Sequence, residues 1–388
     1  MDFSPSEHHD LLRKTVREFA RAEVLPHARK WDEEERFPHE IVPALGEMGL
    51  LGMQIPEAYG GAGMKFHDYV IALEEVARAD ASVGLTMASH NSLCTGHIYL
   101  AANDAQKQKY LPRLASGKAL GAWGLTEPGS GSDAGAARTR AVRKGTNSDR
   151  WVINGTKTFI TQGSVGEIFV ILASTSPEKK AKGLTAFIIE RGTPGFRTGK
   201  KIEKMGLHAS DTTELVLEEV EVSDEQRLGE IDAGFFDTLK ILDRGRIGIG
   251  AWSVGIGRAA FEAARRYAKD RVQFDKPIAE HQAIQHMLAD MATELDAARL
   301  LVWRAAWMQD QKRRTTAESA IAKYYAARAT MRACNAAVQI HGGYGYTREF
   351  DVERYLRDAK LAEIGEGTNE VQKMVIAREL LRQAAEAA

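Results

Sequence analysis

Trp151-Val152-Ile153-Asn154-Gly155-Thr156-Lys157-Thr158-Phe159-Ile160-Thr161 interrupts a chain whose other long stretches carry a helical pattern. Two β-prone runs flank Asn154-Gly155, which predicts a hairpin or tight bend. Ile168–Leu172, Thr185–Ile189 and Leu215–Leu217 continue the β pattern with no long helical run between them. Such spacing predicts an antiparallel sheet or barrel. Gly, Ser, Pro and Thr become frequent after about residue 117, so this unit is placed at 118–231.

Outward from it, both flanks read as helical. In the first, Leu11, Leu12, Val16, Phe19, Ala20 and Val24 recur three and four apart, predicting a helix from 5 to about 30. Further helical runs fall at 39–49, 67–80 and 83–101, and Asn103 is a natural N-cap for the next. After the β unit, Ile284, Met287, Leu288, Met291, Leu295, Ala298 and Val302 form one stripe. Met287, Met291 and Trp303 read as core packing. Breaks are expected near Pro277, Arg313-Arg314 and His341-Gly342-Gly343. The expected fold is therefore α+β: an all-α domain at 1–117, an antiparallel β-barrel at 118–231, and a four-helix bundle at 232–388.

Composition narrows function. The 388 residues carry a formal net charge of −1, so no bulk field draws the chain to nucleic acid or an anionic membrane. No apolar run is long enough for a membrane span. Met1-Asp2-Phe3-Ser4-Pro5 has no signal-peptide pattern, and Cys94 and Cys334 are too far apart to suggest a disulfide framework. A cytoplasmic protein is expected. His281 and His286 are five apart rather than four, so no metal site is expected.

Two segments carry chemistry. Glu366, in Ala362-Glu363-Ile364-Gly365-Glu366-Gly367-Thr368-Asn369-Glu370-Val371-Gln372, precedes a helix start capped by Thr368 or Asn369. Gln372 stands three after Asn369, as in a capping box. A carboxylate there acts as a general base if burial raises its pKa, or it simply complements the helix dipole. Glu127-Pro128-Gly129-Ser130-Gly131-Ser132-Asp133 is a loop whose glycines let backbone approach a ligand, or an ordinary solvent turn. It is neither a Walker loop nor a dinucleotide fingerprint.

The 362–372 segment resembles the catalytic-base segment of the acyl-CoA dehydrogenase family. Five more matches occur in family order: Trp123–Asp133, Lys157–Thr161, Arg271–Phe274, Glu280–Ile284 and Gln339–Gly343. The resemblance implies an FAD enzyme that makes a trans double bond between Cα and Cβ of an acyl-CoA, with Glu366 as the α-proton base. It implies that Trp123, Leu125 and Thr126 line one side of the flavin, Thr126 bonding its pyrimidine edge. Ser132 would border the flavin and the pantetheine arm. Phe159, Ile160 and Thr161 would cover the other part, Phe159 standing where many relatives have Trp. Arg271 would hold the pyrophosphate, an ion that its guanidinium fork suits, with Phe274, His281 and Gln282. Gln339, Gly342 and Gly343 would reach the same dinucleotide across a subunit interface, and Thr368 is a further FAD residue. Asp243, Arg246, Ser132, Glu366 and Gly367 would hold the acyl-CoA. Some relatives carry their base at the position of Gly245 instead.

The resemblance also implies a homotetramer that passes electrons to an electron-transfer flavoprotein, in fatty acid β-oxidation or branched-chain amino acid degradation. An oxidase using O₂, or a nucleic-acid-binding relative on the same fold, are the alternatives. The stretch Ser82–Cys94 resembles short-chain and isovaleryl members, so an acyl group of about four to six carbons is expected. Gly365 replaces a tyrosine common in straight-chain relatives, which leaves branching open.

Overall fold

The computed structural model describes residues 5–145 and 148–387; the opening residues 1–4, read above for a targeting signal, lie outside them. The first flank is helical, as expected, but its opening helix is shorter. Ser6 caps α1 (Glu7–Phe19) by accepting from the His9 amide at 3.2 Å. The helix then loosens into a π-turn at Ala20–Val24 and restarts as α2 (Ala28–Glu33). There follow α3 (Ile41–Glu47), α4 (Phe66–Ala79), α5 (Ala81–Ala88), α6 (Gly96–Ala101) and α7 (Asp104–Ala115). A π segment, Ser89–Thr95, joins α5 to α6. Asn103 caps α7 in a reciprocal box with Gln106, at 2.9 and 3.0 Å.

The β unit comprises β1 (Gly121–Gly124), β2 (Arg140–Arg143), β3 (Arg150–Thr161), β4 (Ile168–Ser174), β5 (Leu184–Glu190), β6 (Phe196–Lys201), β7 (Thr212–Ser223) and β8 (Arg227–Leu228). The order is β6-β7-β3-β2-β4-β5-β8, with β1 on β4. This corrects the barrel: among the described residues the sheet is open. β6 pairs with β7 alone, and β8 is two residues long and pairs with β5 alone before the chain turns into a helix. Nor is the sheet wholly antiparallel, since β1 runs parallel to β4.

Asn154-Gly155 makes no hairpin. β3 passes straight through it and pairs with β7 on both sides, with a register shift between Ile153 and Gly155. The pair serves a bulge instead. Asn154 Oδ1 accepts from the Glu219 amide at 2.8 Å on the partner strand. A Cβ at Gly155 would lie 2.4 Å from Thr139 Oγ1, just before β2, so only glycine lets the backbones approach.

Alternation along β4 divides the core. Ile168, Val170 and Leu172 pack towards α6 and α7, while Phe169, Ile171 and Ala173 pack inside the sheet. The second helical flank holds α8 (Gly234–Asp270), α9 (Gln282–Asp310), α10 (Thr316–His341), α11 (Val352–Ala359) and α12 (Asn369–Ala387), with breaks where expected. α10 packs against α8, α9 and α12, and α4 also lies on α8. Buried Trp252 of α8 donates to the Ala81 carbonyl at 2.7 Å, tying bundle to N-terminal flank. Asp358 of α11 accepts from the Leu207 amide at 2.6 Å, tying bundle to β unit. No helix among the described residues is long and apolar enough to cross a membrane.

Candidate active site

Glu366 lies in the turn between α11 and α12, with left-handed backbone: φ is 51° at Glu366 and 91° at Gly367. A non-glycine residue held there is strained. Three groups hold the turn. Thr368 Oγ1 caps α12 by accepting from the Val371 amide at 3.3 Å. Gln372 Nε2 donates to the Glu366 and Gly367 carbonyls at 3.2 and 2.9 Å. Lys323 Nζ, from α10, donates to the Gly367 carbonyl at 2.8 Å. Gln372 therefore does not close a capping box on Asn369; it satisfies the carbonyls before the helix.

The turn aims the Glu366 carboxylate at α8. The residue keeps some accessible surface, but its Oε2 is enclosed and has no hydrogen-bond partner. Gly245 makes the room: a Cβ there would sit 2.0 Å from Oε2. Burial pushes the Glu366 carboxyl up to about 7, with the charges of Arg246 and Lys323 opposing that rise. Arg246 pairs with Asp243 at 2.8 Å, and Asp243 accepts from Thr316 Oγ1 at 2.7 Å. Tyr69 Oη of α4, also enclosed and unpaired, lies 3.2 Å from the place a Gly248 Cβ would take. Glu366, Asp243, Arg246, Gly367 and Thr368 thus gather around one end of α8.

A second group lies on the β unit. The end of β1 is stitched to β3: the Thr158 amide donates to the Thr126 carbonyl at 2.9 Å, and Lys157 Nζ to the Leu125 carbonyl at 3.1 Å. Lys157 is fully buried and pairs with Glu127 at 2.7 Å. Glu127 also accepts from the Arg138 and Thr139 amides at 2.6 and 2.9 Å. A second register shift in β3 follows at Lys157 to Ile160, and Phe159 within it has φ 57° and is 64 % exposed. Thr161 is half-buried opposite Thr212, and Ser132 is exposed. The Trp123, Leu125 and Ile160 side chains are buried, Trp123 donating to His97 Nδ1 at 3.1 Å. Any ligand contact from these three therefore runs mainly through backbone.

The third group is elsewhere. Arg271 follows the end of α8, its guanidinium 5.8 Å from the Tyr344 ring. With Gly342 and Gly343 it lines a cavity of about 490 Å³. Phe274 is 87 % exposed and meets His281 edge-on at 5.8 Å; Gln282 opens α9 and Gln339 lies in the last turn of α10. Gly245 and Arg271, the residue that ends α8, are 26 residues apart along its axis, about 39 Å at 1.5 Å per residue. The sequence-expected residues thus fall into a base group, a group on the β unit and a distant cationic rim.

Three family models match this arrangement in order: acyl-CoA dehydrogenase N-terminal domain at 6–118, middle domain at 122–220 and C-terminal domain at 232–381. The chain belongs to the acyl-CoA dehydrogenase family. It is 46 % identical to the short-chain specific acyl-CoA dehydrogenase of Clostridium acetobutylicum, over 98 % of this chain and 100 % of the relative. Butyryl-CoA dehydrogenase from Megasphaera elsdenii shares the fold with a TM-score of 0.96 and 42 % identity, covering 98 % of this chain and 100 % of that one. The same values hold for a chain from a structure of the electron transferring flavoprotein of Acidaminococcus fermentans. Acyl-CoA dehydrogenases are oxidoreductases acting on CH–CH groups, and the family implies a flavin.

Sequence reasoning missed Lys323 and Tyr69, gave Lys157 no role of its own, and gave Gln372 the wrong partner. Lys323 carried a signal, sharing one face of α10 with Ala320, Ala326 and Ala327.

Proposed function

We propose that this chain is an FAD-dependent dehydrogenase of short acyl-CoA thioesters, with Glu366 as the base. The observation that carries the reading is the unpaired Glu366 carboxylate, raised towards neutrality and aimed into space that Gly245 keeps open. Such a group takes the α proton of a thioester bound between α8 and the 366–368 turn. The Glu366 amide donates to no group among the described residues and is free to bond the thioester oxygen as charge develops there. Asp243 and Arg246 flank the same opening and orient the coenzyme A arm.

The residues present fit a flavin. Phe159 is held outward on left-handed backbone, a costly way to expose an aromatic ring unless a planar ligand covers it. Bound FAD supplies the hydride acceptor for the β hydrogen. Thr126 and Thr161 flank Phe159 and orient the ring, and the Lys157–Glu127 pair locks the two segments together.

Arg271, about 39 Å from Gly245 along α8, is too far to serve the same flavin and complete it within one chain. It completes the site of a neighbouring subunit, and the exposed Phe274 and Tyr346, 87 and 90 % accessible, are covered there. A homotetramer and an electron-transfer flavoprotein as acceptor follow from the family reading. The short acyl chain rests on the Ser82–Cys94 stretch and on the short-chain relatives.

The test is anaerobic mixing of FAD-loaded protein with acyl-CoAs from C4 to C16, straight and branched, while the flavin absorbance is followed. Bleaching fastest with C4–C6 substrates, and nearly abolished in Glu366→Gln, is expected. A protein that takes up no FAD, or a Glu366→Gln variant reduced at the wild-type rate, refutes the proposal.

A further inference from the structure

The base turn is held by a lysine that nothing in the proposed chemistry uses. Lys323 is fully buried in α10, where its neighbours Ala322, Ala326 and Ala327 are buried too. Its ammonium donates to the Gly367 carbonyl at 2.8 Å and sits 3.4 Å from Asn369 Oδ1. No carboxylate among the described residues lies within ion-pair distance of it, although a buried lysine ordinarily requires one. The Gly367 carbonyl takes a second bond from Gln372 at 2.9 Å, so both its lone pairs are used. The two left-handed residues that aim the carboxylate are thus fastened from two different helices.

We propose that Lys323 is the positioning residue of the base: it pins the strained Glu366-Gly367 turn through the Gly367 carbonyl, and it turns an unpaired positive charge towards the Glu366 carboxylate. The inference rests on Glu366 being the base. The charged and titratable groups acting on Glu366 are Arg246 from α8, Tyr69 from α4 and Lys323 from α10, with Asp243 of α8 held on Arg246. Glu363 and Glu370 also face Lys323, and Arg246 opposes it. Arg246 acts on Glu366 more strongly than Lys323 does but is ion-paired with Asp243 at 2.8 Å, whereas Lys323 has no carboxylate within ion-pair distance among the described residues. Burial lowers the Lys323 ammonium to about 8, so it still carries its charge at neutral pH.

The experiment compares the FAD-loaded wild type with Lys323→Gln, Lys323→Met and Lys323→Arg. Gln can keep the bond to the Gly367 carbonyl without the charge, Met keeps neither, and Arg keeps both. Two quantities are read between pH 5.5 and 9.5. One is the anaerobic rate of flavin reduction by butyryl-CoA. The other is the Glu366 carboxyl titration by infrared difference, its band assigned by its loss in Glu366→Gln, which requires no turnover. Lys323→Gln is expected to move both midpoints up by about one pH unit and to keep the high-pH rate within threefold. Lys323→Met is expected to move the midpoint equally and to lower the high-pH rate about tenfold. Lys323→Arg, if it folds, keeps the wild-type midpoint.

Unmoved midpoints in the neutral variants overturn the proposal, as does equal displacement in Lys323→Arg. If neither neutral variant loads FAD, a displaced infrared midpoint in Lys323→Arg overturns it and a wild-type one upholds it. Failure of the base reading is distinct: it shows as wild-type reduction in Glu366→Gln, whatever the lysine variants do.

Discussion

Replacing Gly245 with alanine tests whether the carboxylate position, rather than the mere presence of Glu366, sets the rate. The added methyl would lie 2.0 Å from Oε2, 3.0 Å from Cδ and 3.3 Å from Oε1 of Glu366. A carbon and an oxygen settle at roughly 3.3 Å, so the carboxylate must retreat by about 1.3 Å. Misplacing a reacting group by about 1 Å costs about 10²-fold in rate. The atom in the way is the far end of a flexible side chain, and rotating it off a staggered position costs about 0.5–1.5 kcal/mol, so the fold tolerates the change. The expected result is a rate of flavin reduction by butyryl-CoA, measured by anaerobic stopped flow, about 10²-fold below wild type. FAD content and melting temperature change little. Gly248→Ala is the control, since its methyl would meet Tyr69 Oη at 3.2 Å, a contact relieved by a few tenths of an ångström. A reduction rate for Gly245→Ala within threefold of wild type would show that the reasoning from this contact is wrong.

Because the Glu366 carboxyl is raised to about 7, kcat/KM for the reductive half-reaction should fall tenfold per unit below pH 7; a pH-independent rate from 5.5 to 8 contradicts this. The same shift makes a stability statement. The folded protein keeps a proton that the unfolded chain releases near 4.5, so this stabilisation is complete below 4.5 and is lost as pH rises through 7. Glu366→Gln should therefore gain stability over wild type at pH 8, on the order of 3 kcal/mol, and almost none at pH 4.5, as read by denaturant titration. Lys157→Met should destabilise by about 3–5 kcal/mol, since it leaves Glu127 buried and unpaired, and should weaken FAD retention on gel filtration. Arg271→Ala should lose FAD while leaving the far-ultraviolet spectrum unchanged; full retention of the cofactor argues against a pyrophosphate role.

Much of the helical frame was legible because its signals are local. Asn103 with Gln106, and the breaks at Pro277 and Gly342-Gly343, act within a few residues of themselves. The sheet was harder. Asn154-Gly155 carries the strongest short-range hairpin signal, yet β7 pairs with β3 on both sides of it, and long-range pairing overrode the turn propensity. Closure into a barrel was illegible for the same reason, since it depends on whether β6 meets β8, strands separated by all of β7. At the site, Glu366 was legible as a residue but not as a geometry. What encloses it comes from α4, α8 and α10; Gly245 was legible through the resemblance as the other place for a base, but the room it makes for the Glu366 carboxylate shows only in three dimensions. Gln372 was noticed for its spacing and given the wrong partner, because the left-handed turn before α12 presents carbonyls where a capping box would present an amide.

The shared space at Gly245 and Glu366 has a historical consequence. Since a Cβ at 245 falls 2.0 Å from the 366 carboxylate, one protein cannot keep an undisturbed acid at both positions. A lineage moving its acid from the interhelical turn to the long helix could not pass through an ancestor carrying the two side by side in their native poses. It would have to cross a sequence with the acid displaced or absent. The two placements should therefore divide relatives into deep, separate branches rather than appear scattered among close neighbours.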